Sequence, residues 1–172
     1  VGHGDAFVMR DPNGIRPAFW YEDDEVVVAA SERPVIQTAF NVPAPSIQEV
    51  APGSALVIKR DGKAHVEEIR PAGDRKACSF ERIYFSRGND SDIYSERKAL
   101  GKAIVPRVLE VVEHDLDHTV TSFIPNTAES SFYGLVQGLE EHLNASKIAR
   151  IKGLGVDPDH AEIEAILNER PR

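Results

Sequence analysis

Through the first 70 residues the apolar positions come in short runs of four to six, broken each time by turn chemistry. Ala6-Phe7-Val8-Met9 is followed by Asp11-Pro12-Asn13-Gly14, where Pro12 presets φ, Asp11 can accept from the backbone and Gly14 tolerates the exit geometry. Pro17 to Tyr21 resumes as a strand, Glu22-Asp23-Asp24 makes a polar hairpin tip, and Val26 to Ala30 returns. Three consecutive valines predict a strand buried on both faces. Ser31 to Ser46, with Pro34, Pro43 and Pro45, reads as loop. Ile47 to Val50, Ala55 to Lys59 and Ala64 to Ile69 predict three more strands. Asp61-Gly62 is a two-residue hairpin signal between the last two. The expectation for residues 1–70 is an antiparallel β-meander that packs on elements outside this chain.

Beyond a polar linker at 71–76, where a domain boundary is expected, the period changes. Ile83-Tyr84-Phe85 predicts a strand. Ser91 and Asp92 can cap a helix with apolar positions at Ile93, Leu100, Ile104, Val108 and Val111, which Pro106 should kink or divide. Thr119 to Ile124 predicts a buried strand, and Pro125-Asn126-Thr127 a tight connection. A helix from Ala128 to Leu143 presents Phe132, Leu135, Val136, Leu139 and Leu143 on one face, with Asn126 and Glu129 spaced as a capping box. Asp157-Pro158 opens a last helix ending near Asn168. Strand, helix, strand, helix predicts the start of a parallel α/β sheet, so the fold class is α+β.

Composition narrows the function classes. A net charge of −8 argues against broad binding to a nucleic-acid backbone. No run of 18 apolar residues offers a membrane span. One cysteine, Cys78, excludes an internal disulfide framework and fits a reducing compartment, so a cytoplasmic enzyme is expected. The chain starts at Val1 in mid-pattern and reads as a slice of a larger enzyme.

Two strings in fixed order carry a family resemblance. Asp11-Pro12-Asn13-Gly14-Ile15-Arg16-Pro17 resembles the Asp-Pro-x-Gly-x-Arg-Pro segment of the amidophosphoribosyltransferases. Cys78-Ser79-Phe80-Glu81-Arg82-Ile83-Tyr84-Phe85-Ser86-Arg87 is similar to that family's Cys-x-x-Glu-Tyr-Ile-Tyr-Phe-(Ala/Ser)-Arg stretch. Ala30-Ser31-Glu32, Glu49-Val50-Ala51-Pro52-Gly53 and Tyr94-Ser95-x-Arg97-x-x-Leu100-Gly101 continue the likeness, which covers roughly residues 4–135.

The resemblance implies a protein that hydrolyses glutamine and passes the ammonia to phosphoribosyl pyrophosphate, opening purine biosynthesis. It implies the C-terminal part of an N-terminal-nucleophile (αββα) glutaminase sandwich over 1–75, then the start of a type I phosphoribosyltransferase α/β domain over 76–172. Homo-oligomerisation and magnesium are also implied. Pro125-Asn126-Thr127 stands where the family has a pyrophosphate loop, so Asn126 and Thr127 are expected pyrophosphate-binding residues, with the Thr127 hydroxyl near the metal. A loop feeding a helix N-terminus does offer N–H groups to an anion, although helix capping explains the same residue types. Tyr84 and Arg87 are expected to couple the two active sites; the plainer reading is a core tyrosine and a surface ion pair. No catalytic residue is assigned, because Val1 carries no nucleophile and no Asp-Asp phosphoribosyl pyrophosphate motif follows residue 128. The chain alone is therefore expected to be inactive. The alternative is a non-catalytic phosphate- or nucleotide-binding regulatory module, suggested by Gly88-Asn89-Asp90 in place of Pro-Asp-Ser and by Asn126 in place of an acid. Residues 144–172 fit the family poorly.

Cys78 stands where one branch of the family binds an iron–sulfur cluster. Ligation takes four thiolates and the chain supplies one, so a buried free thiol is expected. His114 and His118, flanking Asp115 and Asp117, read as a solvated helix end; His3, His65, His142 and His160 form no cluster in sequence. Arg16 is expected to pair with an acid or carbonyl near its turn. Ser31 has no nearby His and Asp partners in sequence.

Overall fold

The computed structural model describes residues 4–170, so Val1 and His3 lie outside the described residues. The chain divides into two compact units, the first through Ile93 and the second from Tyr94. Both strands and helices are present, giving the α+β class.

Among the described residues of the first unit, six strands form two antiparallel sheets. Strands β1 (Ala6–Met9), β5 (Ser54–Ile58) and β6 (Ala64–Glu68) run in the order β1-β5-β6; β2 (Phe19–Glu22), β3 (Val27–Ala30) and β4 (Gln48–Glu49) run in the order β3-β2-β4. This is no single meander, because β1 pairs across more than 40 residues with β5, Phe7 opposite Val57 and Met9 opposite Ala55. The sheets share one core. Ala18, Trp20, Val50 and Leu56 are buried, with Val8, Val27, Ala29, Ile58 and Ala64 packed around them. β3 is an edge strand and only half-buried, so its valine run does not mark burial on both faces. Asp61-Gly62 belongs to a three-residue loop: Lys59 N–H donates to Lys63 O and Gly62 takes φ 84°.

The segment expected to be loop holds helix α1 (Arg33–Phe40). Pro34 sits in its first turn, where a missing N–H costs nothing, Ile36 is 1% exposed, and Asn41 ends it in the left-handed conformation. Ile83-Tyr84-Phe85 is not a strand but lies in a π-helical turn, Glu81–Phe85, closed by Ser86 N–H onto Glu81 O at 2.8 Å. The polar linker at 71–76 is held inside this unit. Gly73, Lys76 and Cys78 donate their N–H groups to Pro12, Asn13 and Ile15 carbonyls at 2.8–2.9 Å.

The second unit is helical among the described residues. α2 (Ser91–Ala103) begins at the end of the first unit, α3 (Val105–Val111) follows, and the break at Ile104 sits two residues before Pro106, as expected. Asp90 rather than Ser91 or Asp92 caps α2: its carboxylate accepts from Asp92 N–H at 2.9 Å and Ile93 N–H at 3.3 Å. The expected strand Thr119–Ile124 does not form. A strand needs a ladder partner, this unit supplies none, and Val120 and Ile124 are 79% and 85% exposed. The expected parallel α/β sheet is accordingly absent here.

α4 (Glu129–Gly153) runs ten residues beyond the expected end, because 144–153 are mostly good helix formers and Gly155, at φ 93°, comes only afterwards. α5 (His160–Asn168) docks on it. Val105 and Leu109 from α3 and Leu139 from α4 form the core, flanked by Leu116 and Leu135. Where α2 meets α4 the backbones touch. A Cβ on Gly101 would strike the Ser131 carbonyl, and one on Gly134 the Lys98 carbonyl.

Two buried cations tie elements together. Arg10, at the end of β1, donates through Nε to Arg16 O at 3.0 Å and through Nη1 to Val50 O and Glu49 Oε1, both at 2.7 Å. Lys147 of α4, 4% exposed, donates through Nζ to Leu167 O at 2.9 Å and Glu169 O at 2.6 Å, satisfying carbonyls that the end of α5 leaves without helical donors. Arg10→Met should destabilise the first unit by about 3 kcal/mol, since it strands two carbonyls; urea denaturation checks this. Lys147→Met should undock α5 at a cost of about 2 kcal/mol, read as ~30-fold faster amide exchange in α5 with the rest of the helical unit unchanged.

Candidate functional site

The string at Asp11 builds a rigid loop before it builds any chemistry. Asp11 Oδ1 accepts from Asn13 N–H and Oδ2 from Ile15 N–H, both at 2.9 Å, while Asp11 O accepts from Gly14 and Gly53 N–H groups at 3.1 Å. Gly14 takes φ 60°, and a Cβ there would meet Pro52 Cγ at 3.0 Å, so a side chain at this position would be strained and would crowd Pro52. Asn13 Nδ2 reaches Asp74 O at 2.9 Å. Arg16 forms an ion pair with the buried Glu81 carboxylate, which fulfils the structural reading of Arg16.

Between this loop, the start of α1, the π-helical turn and the start of α2 lies a cleft of about 210 Å³. Arg10, Arg33, Ser31, Cys78, Arg87 and Asp90 are among its lining residues. Several of its charges are matched in pairs. Arg33 grips Asp90 with two bonds, Nε to Oδ2 at 2.9 Å and Nη2 to Oδ1 at 2.7 Å, and reaches Asp92 at 2.6 Å. Arg87 Nε donates to Glu32 Oε2 at 3.2 Å. The bidentate bond to Asp90 holds the Arg33 guanidinium above its ordinary range. Burial alone would raise the Asp90 carboxyl, but Arg33 and the Ile93 and Asp92 N–H groups outweigh it and hold the carboxyl below the usual range.

The structure brings Arg87 and Cys78 to this cleft and leaves Tyr84 off its lining. Tyr84 is no core tyrosine. It is 62% exposed, with its ring edge-on to Phe85 at 5.3 Å. Cys78 is half-buried where full burial was expected. In the second unit, Asn126 and Thr127 are exposed in the turn before α4. No side chain caps that helix: Ala128 is its N-cap, Asn126 contributes its carbonyl to Glu129 N–H at 3.3 Å, and the Glu129 carboxylate accepts from the Tyr133 hydroxyl at 2.6 Å. The expected capping box is therefore not made. Sequence reasoning missed Arg33 and Asp90. Asp90 carried a signal as a residue of capping type just before a helix, whereas nothing in the sequence marked its partner 57 positions away.

No protein-family profile matches the chain. Among curated proteins it is 31% identical over 161 residues to the amidophosphoribosyltransferase of Bacillus subtilis, covering 90% of this chain and 32% of that protein. It is 30% identical over 138 residues to the Escherichia coli amidophosphoribosyltransferase, covering 74% and 26%. With that of Pseudomonas aeruginosa the identity is 27% over 149 residues, covering 81% and 28%. The chain thus spans about a quarter to a third of the length of these relatives. Among solved structures, an allosteric regulatory enzyme of purine biosynthesis matches with a TM-score of 0.56 and 29% identity, over 78% of this chain and 28% of that one. The glutamine phosphoribosylpyrophosphate amidotransferase of B. subtilis, solved with ADP and GMP, matches in fold with a TM-score of 0.57 and 24% identity, over 98% and 36%.

Because Asp90 binds its proton more weakly folded than unfolded, its contribution to stability is complete at neutral pH. It is lost as pH falls through the carboxylate range to the lower folded value. Asp90→Asn should therefore be less stable than the parent chain at pH 7, with the gap closing between about pH 5 and about pH 2. Urea titrations across that range test it; a gap independent of pH would contradict the pairing.

Proposed function

We propose, from its relation to the amidophosphoribosyltransferases, that this chain is the part of such an enzyme where the ammonia-generating and ammonia-using halves join. The observation that carries the reading is the match over 74–90% of the chain, supported by the Asp11–Pro17 and Cys78–Arg87 strings, which resemble that family's in the same order. The parent enzyme would hydrolyse glutamine and transfer the ammonia to phosphoribosyl pyrophosphate, giving phosphoribosylamine and pyrophosphate. The two packed antiparallel sheets support assigning residues 1–75 to the end of a glutaminase sandwich, and 76–172 would open the phosphoribosyltransferase part.

On this reading Thr127 and the N–H groups at the start of α4 meet the pyrophosphate. An exposed turn leading into a 25-residue helix with no side-chain cap offers first-turn N–H groups and the positive end of the helix dipole to an anion. Asn126 contributes no charge where the family carries an acid. Arg87 and Tyr84 would transmit the occupancy of one site to the other, Arg87 by exchanging its Glu32 partner. Magnesium, implied by the same family, would reach this site with the pyrophosphate, whose oxygens together with water would make up most of its coordination. Thr127 offers one neutral oxygen, and no cluster of three or more His, Cys, Asp or Glu side chains forms among the described residues. No step is therefore assigned to a metal held by this chain.

In a longer polypeptide that contains this stretch, Thr127→Ala should raise KM for phosphoribosyl pyrophosphate by about tenfold, which corresponds to losing one charge-assisted hydrogen bond. KM for glutamine should stay unchanged. Steady-state kinetics with each substrate varied in turn decide the matter, and an equal effect on both constants would remove Thr127 from the pyrophosphate site.

A further inference from the structure

We propose that His114 and His142 form a binding site for one late-transition-metal ion, joining the end of α3 to the face of α4. Their ring centroids are 6.1 Å apart, with the planes tilted by 36°. Two imidazoles on one ion, with metal–nitrogen bonds of about 2.0 Å, have centroids roughly 5 to 6.5 Å apart. The observed spacing falls within that range. Both side chains are exposed, so an ion can reach them from solvent.

The backbone beneath His114 is unusual in the same place. Glu113 and His114 are consecutive non-glycine residues in the left-handed region, at φ 53° and 60°. Such residues are disfavoured unless the surroundings fix them. Here His114 N–H donates to Leu109 O at 2.8 Å, closing the end of α3. His142 sits one turn beyond Leu139, the buried residue through which α4 packs on Val105 and Leu109. The two ligands therefore stand on elements that the core already holds together, and closing the site costs little order.

His118, the partner that sequence spacing suggests for His114, is engaged elsewhere. Its Nδ1 meets Asp115 Oδ2 at 2.9 Å. Among the described residues no third His, Cys, Asp or Glu completes a cluster, so water fills the remaining positions. Two neutral imidazoles and water suit Cu²⁺, Ni²⁺ or Zn²⁺ rather than Mg²⁺ or Ca²⁺. The site would act as a clamp on the helical unit.

Cu²⁺ titration of the full 172-residue chain, followed by calorimetry and by electron paramagnetic resonance, tests the proposal. One saturable site with a two-nitrogen signature is expected. His114→Ala and His142→Ala should each weaken it at least about tenfold, whereas His118→Ala leaves it unchanged. Since both rings are exposed, circular dichroism should show each variant folded as the parent. Zn²⁺ should slow amide exchange in α3 and α4 of the parent chain and not of His142→Ala. No saturable binding below about 1 mM, or equal loss in His118→Ala, would overturn the assignment.

Discussion

The first unit depends on how one buried guanidinium is satisfied. Arg10 ends β1, and its donors close on Arg16 O, Val50 O and the Glu49 carboxylate. These acceptors come from the Asp11–Pro17 loop and from the residues around β4, so one side chain joins a strand of one sheet to a strand of the other. Burying a charge is tolerable only when its hydrogen bonds are made, which forces all three partners into position together. The cleft is the by-product: with the loop pinned, Arg16 meets Glu81, and the π-helical turn is held against the sheets. Residues that resemble a catalytic family therefore act here first as scaffolding.

Local chemistry made much of this legible from sequence. The Asp11 turn, the acidic hairpin tip, where the Asp23 carboxylate accepts from Glu25 and Val26 N–H groups, and the break before Pro106 all rest on neighbours a few residues apart. What failed depended on distant partners. Thr119–Ile124 has strand composition, but composition cannot supply the adjacent strand. Ile83-Tyr84-Phe85 has it too, yet the ion pair of Glu81 with Arg16, 65 positions earlier, anchors a helical turn. Helix α1 was hidden by prolines, one of which favours a helix start.

The same division holds for the candidate site. Arg87 stands at the end of the Cys78 string and pairs with Glu32, which with Ser31 lines the same cleft. Arg33 and Asp90 were not recognisable, because a bidentate pair leaves no periodic trace. Apolar side chains such as Phe7, Met9 and Tyr84 stand open here, each at least half exposed.

Gly101 and Gly134 set a limit of another kind. With peptide groups from two helices in van der Waals touch, spacing between those helices has no slack, and a single added methyl would have to be absorbed by sliding one helix along the other. Such sliding would carry Lys102 away from Glu141, which now lie 2.6 Å apart. Lineages that lose either glycine should therefore be found with that charge pair rewritten as well, a correlated change readable from homologous sequences without any assay.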